Sequence, residues 1–111
     1  MVIKLGEVSR EMLSKWRKDL NHKKYEDVVR EVSGIAIIFR GENDKMWMET
    51  VQTLRQDVNE MSDRRMPAHI RVYLKDLFDD AVRTIKGELR RDKMRKRMQE
   101  TFKLLSRANS S

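Results

Sequence analysis

Trp47, Val51, Leu54, Val58 and Met61 follow one another at steps of four, three, four and three residues. Such spacing keeps returning to one side of an α-helix, whereas a strand changes face at every residue. This heptad-like seam is the most regular pattern in the chain. Asn43 is placed to cap the helix that carries it, with Asp44 in the first turn, where negative charge suits the helix dipole. The segment from Ser62 to Met66 interrupts the pattern.

Similar spacing runs through the other segments. Leu5, Val8, Met12, Leu13, Trp16 and Leu20 predict a first helix from about Glu7 to Leu20, stopped at Asn21-His22. Tyr25, Val28, Val29, Val32, Ile35, Ala36 and Phe39 predict a second from about Lys23 to Phe39, closed by Gly41. A short strand near 35–39 is the alternative there, because Gly34 precedes a β-branched run. Pro67 suits the first turn of a fourth helix, lined by Ile70, Leu74, Leu77, Phe78, Ala81, Ile85 and Leu89. Near Gly87 that helix continues, kinks or ends; Asp92 then caps a fifth, carrying Met94, Met98, Phe102 and Leu105.

The expected fold is therefore all-α: an antiparallel helical bundle of four to five helices forming a single domain over 1–107, with 108–111 frayed. One proline and four glycines in 111 residues leave few places to turn, and 39% charged residues suit helices that each bury one stripe. The chain has no cysteine, which excludes disulfides and thiolate metal sites and fits a reducing cytoplasm. No apolar run approaches the length of a membrane span, so no membrane contact is expected. The five segments offer more apolar face than one small bundle hides. On that count Trp47, Val51, Leu54, Val58, Met61, Met94, Met98 and Phe102 are candidates for helix–helix contact with another chain.

Charge is concentrated at one end. Lys86 to Arg107 holds nine Lys or Arg against three acids, a net +6 out of +7 for the whole chain. Lys86, Arg90, Lys93 and Arg97 fall in a narrow sector if they share one helix, flanked by Arg91, Arg95 and Lys96. Such a surface neutralises phosphates of DNA or RNA, or receives an acidic protein; it is equally what a solvated helix face or a cationic helix C-terminus looks like. No aromatic residue is interleaved with the stripe, which argues against base stacking.

Chemistry-bearing motifs are sparse. Asp57 and Glu60, with Asp76, Asp79 and Asp80, could face one another and hold Mg²⁺ as in an all-α nucleotide hydrolase, but helix-surface ion pairing explains them more simply. His22 and His69 stand alone, and no phosphate loop, dinucleotide fingerprint or serine elbow is present. No catalytic residue, metal or cofactor is expected.

The order of segments resembles the helical domain of archaeal GINS replication-factor subunits. Met1 to Glu7, with Glu11 and Ser14, looks like their opening helix; Tyr25, Val28, Val29 and Val32 look like the start of their second. Leu74 to Phe78, continuing through Arg83 to Ile85, is similar to their long central helix, and Met94 to Leu105 to a closing one. The chain departs from the family in having Lys23-Lys24-Tyr25 where an acidic-aromatic pair is usual, and in lacking the small β-domain. The resemblance implies a non-catalytic subunit of a DNA-replication assembly, joined to copies of itself or to replication proteins. A stand-alone basic DNA- or RNA-binding module is the alternative.

Overall fold

The computed structural model describes residues 5–39 and 43–109. Five α-helices account for most of them: α1 Leu5–Asn21, α2 Tyr25–Ile38, α3 Asp44–Glu60, α4 Ala68–Ile85 and α5 Arg91–Asn109. No strand occurs among the described residues, and 35–38 continue α2. Ile35, Ala36 and Ile37 are buried beside Val28, Val29 and Val32, so the β-branched run serves a helix face and the strand alternative falls. Gly41, the expected stop, lies outside the described residues, as do Ser110 and Ser111. Ala108 sits within α5 and packs partly against the core, so the helix outruns the expected boundary at 107.

The helices form a bundle in which α4 packs on α2, α3 and α5, while α1 packs on α2 and α3. Trp16, Trp47, Phe78, Leu54, Met66, Leu74, Leu77, Met94 and Leu105 are all essentially inaccessible and belong to one core. The α3 seam is therefore spent inside the chain. Trp47 is 2% exposed, Val51, Leu54, Val58 and Met94 are 0% exposed, and Met61, Met98 and Phe102 are half-buried against the same core. This corrects the expectation that these residues await another chain: α4 covers α3, and α2 and α4 cover α5. Ile38, Phe39 and Val72 are the large apolar side chains left exposed among the described residues.

Two turns share one design. After α1, the Lys24 N–H donates to Asp19 C=O at 2.8 Å and the Lys23 N–H to Leu20 C=O at 3.1 Å, with Lys23 at φ 62°. After α4, the Glu88 N–H donates to Arg83 C=O at 2.8 Å and the Gly87 N–H to Thr84 C=O at 3.1 Å, with Gly87 at φ 83°. Both are Schellman caps, in which one left-handed residue lets the chain satisfy the last carbonyls and leave. Gly87 thus ends α4. The helix starts are less specialised. Asn43 and Pro67 occupy the capping positions of α3 and α4, yet neither donates or accepts a side-chain cap bond; their carbonyls receive Trp47 and Arg71 N–H at 3.1 Å each. Asp92 does not cap α5 as expected: the Arg90 carbonyl receives the Met94 N–H, which puts Asp92 inside the first turn.

Candidate nucleic-acid interface

The Schellman turn at Gly87 decides how the basic segment is displayed. Lys86 closes α4, Arg90 lies in the connection, and only Lys93 and Arg97 of the expected stripe stand on α5. The four do not share a helix, so the single narrow stripe is replaced by a collar around the first half of α5. Met94, Thr101 and Leu105 are the buried side of that helix. At 100° per residue, Lys93 and Arg97 fall on one flank, Arg91 and Arg95 on the other, and Lys96 opposite the core. The neighbours agree with this: Arg97 reaches Asp80 on α4, while Phe102, on the other flank, lies under Arg30 of α2 at 5.6 Å.

The collar concentrates cations that lack an acid partner. In the body of the bundle, several cations are matched across elements: Lys15 to Glu31 at 2.7 Å, Arg17 to Asp57 at 2.6 Å, Arg55 to Asp79 at 2.6 Å, and Arg71 to Asp63. In the collar, Arg90 meets Asp92 at 3.2 Å and Arg97 meets Asp80 and Glu100. Lys86, Arg91, Lys93, Arg95 and Lys96 are exposed, and among the described residues no acid lies within ion-pair distance of them. Lys86 also stands at the negative end of the α4 dipole, which accounts for its own charge locally. Other exposed cations, such as Lys18, Lys45 and Arg64, are scattered over the surface.

The carboxylates do not converge on a metal. Asp57 and Asp79 are held by Arg17 and Arg55, Glu60 accepts from Gln56 at 2.9 Å, and no group of three potential ligands occurs among the described residues. Asp80 behaves differently from its neighbours. It is 7% exposed, and its carboxylate takes Arg97 Nε at 3.0 Å and Arg83 Nη1 at 3.4 Å. Burial pushes its pKa above the ordinary value of 3.8, against the pull of Arg97 and Arg83 and with a small push from Asp76 and Asp79. Between α4 and α5 runs a shallow groove lined by Arg83, Leu89, Lys93, Lys96, Arg97 and Glu100. His22 and His69 are both exposed, the latter edge-on to the Tyr73 ring at 6.0 Å.

Asp80, Arg83 and Leu89 join this surface although the sequence pattern did not mark them for it. Arg83 bonds Asp80 rather than Asp79, which stands four residues before it, because Asp79 turns toward Arg55 of α3. The available signal was the position of Asp80, three residues after Leu77 and four before Thr84, both buried. An acid on that face requires a cation from a neighbouring helix. No helix of the described residues is long and apolar enough to cross a membrane. No family model, curated protein or solved structure matches this chain.

Proposed function

We propose that this protein is a non-catalytic helical module that binds DNA or RNA through its phosphate backbone, using the first half of α5. The observation that carries this reading is the group Lys86, Arg91, Lys93, Arg95 and Lys96: cations gathered on one short segment with no acid within ion-pair distance among the described residues, whereas other exposed cations without an acid partner, such as Lys18, Lys45 and Arg64, are scattered. Backbone phosphates are the ligand such a surface fits, since it offers charge and N–H donors without the aromatic faces that bases stack on.

The test is binding to a short duplex measured over a range of salt. Each phosphate contact contributes roughly 0.9 to the slope of log K against log salt. Replacing Arg91, Lys93, Arg95 and Lys96 together by Gln is expected to flatten that slope by up to about 3.6 and to weaken binding by orders of magnitude at low salt. Unchanged affinity in that variant would remove α5 from the interface.

A second reading makes the module a subunit of a GINS-like or other nucleic-acid assembly. What favours it is the exposed apolar set Ile38, Phe39 and Val72, at 72%, 43% and 51% exposure. It does not draw on the α3 seam. Light scattering with and without DNA, at low and high salt, separates the two: a subunit associates with itself or a partner without nucleic acid, and a stand-alone module does not.

A further inference from the structure

We propose that the groove between the end of α4 and the start of α5 is a phosphate seat, in which the buried carboxylate of Asp80 positions the guanidinium groups of Arg83 and Arg97. Asp80 is a positioning residue here. It touches no ligand, but it ties one arginine from each helix to a single anchor, through Nη1 of Arg83 at 3.4 Å and Nε of Arg97 at 3.0 Å. A guanidinium carries five N–H donors in a fixed fork. Arg83 spends one on Asp80, and Arg97 spends one, at a long 3.5 Å, on Glu100 while its Nε lies in ion-pair contact with Asp80, so most donors of both remain to meet a ligand. Lys93 and Lys96 line the same groove beyond ion-pair distance of Glu100, the one carboxylate in its lining, and add charge from its α5 side. A planar fork held still and an adjacent ammonium are the combination that recognises a phosphate.

The alternative account makes Asp80 an ordinary ion-pair partner. It leaves unexplained why an acid sits at 7% exposure on the core-facing side of α4, where apolar packing is the cheaper choice. As a brace between α4 and α5, it has a reason to be there: it fixes the groove that the Gly87 turn opens. The inference rests on the nucleic-acid reading only for the source of the phosphate, a backbone diester.

The experiment titrates inorganic pyrophosphate, and separately a short duplex, into the full chain labelled with ¹⁵N, following backbone amides and arginine Nε–H signals. Pyrophosphate is expected to shift Leu89, Lys93 and the Nε–H of Arg97, and to compete with the duplex. Asp80→Asn makes the protein one unit more positive, so a merely electrostatic role predicts tighter binding. Positioning predicts pyrophosphate binding weaker by roughly threefold or more, as charge-assisted hydrogen bonds lose their geometry. Should Asp80→Asn fail to fold, Arg97→Lys keeps the charge and removes the fork, and the same loss is expected. Tighter or unchanged binding in the folded variants, or shifts confined to Arg91 and Arg95, would overturn the seat. Duplex binding with no pyrophosphate effect in the groove would also overturn it while leaving the function intact. Pyrophosphate seated in the groove without duplex binding would support the seat and end the nucleic-acid reading.

Discussion

Two buried polar contacts show how single residues govern this bundle. Trp16 is 0% exposed, and its Nε1–H donates to Glu31 Oε2 at 3.0 Å, while Lys15 donates to the same carboxylate. Glu31 thus satisfies a core indole and joins α1 to α2. Glu31→Leu would leave the indole N–H without an acceptor, and the expected loss is about 1–3 kcal/mol, read as a shift in the urea midpoint. Most of that loss is assigned to the indole, because Lys15 is half exposed and its ion pair is screened by water. Asp80 works in the opposite sense. A carboxyl whose pKa rises on folding binds its proton more tightly in the native state than in the unfolded chain. Its contribution to stability therefore falls as pH climbs from the ordinary value of 3.8 through the raised native one. Arg97 of α5 and Arg83 of α4 limit the rise, and Asp76 and Asp79 add to it. Unfolding curves of the wild type and Asp80→Asn across that interval are expected to show the wild type losing ground as pH rises; the reverse trend would mean that the two arginines outweigh the burial.

At the scale of the element, faces were legible, and so were several ends, with α1 stopping at Asn21 and α3 and α4 starting just after Asn43 and Pro67; the end that shapes the basic segment was not. Apolar spacing reported which side of each helix turns inward, and Ile70, Leu74, Leu77, Phe78, Ala81 and Ile85 are all buried as their positions required. The same spacing is silent about where a helix stops, because a face continues until the backbone leaves it. Lys86, Arg90, Lys93 and Arg97 read as one stripe only on a continuous helix, and a single left-handed residue removes that condition. One helix start was misread: Asp92 is a residue type that caps, but Arg90 takes that position in α5, whereas Asn43 does stand at the start of α3, without a side-chain cap bond. The Gly87 turn makes a sharp prediction. A Cβ built there meets nothing within 4 Å, so Gly87→Ala has no steric penalty beyond the backbone itself. At φ 83° that backbone cost is about 1–2 kcal/mol, and thermal unfolding should fall accordingly. The matching turn after α1 carries Lys23 at φ 62°, evidence that the fold tolerates such a cost when the rest of the cap is made.

Across the whole molecule, the question is whether the bundle hides its own apolar surface. Periodicity cannot answer it, since a seam facing a neighbouring helix and a seam facing another chain have the same spacing. The answer depends on which helices the connections bring together, and here α4 is brought against α3. Leu54, midway along the seam, is 0% exposed within the chain's own core. Its truncation to Ala should therefore cost about 2–5 kcal/mol through lost burial and the cavity left behind. That cost belongs to folding, so it should be the same at every protein concentration. An intermolecular seam behaves otherwise: binding a second copy adds stability by mass action, and the melting temperature rises with concentration. Melting the wild type and Leu54→Ala over a hundredfold range of concentration distinguishes the two. Parallel, concentration-independent curves are expected, because the partner of Leu54 is already in the same chain. A wild-type melting temperature that climbs with concentration, and a climb that Leu54→Ala abolishes, would return the seam to an interface between molecules.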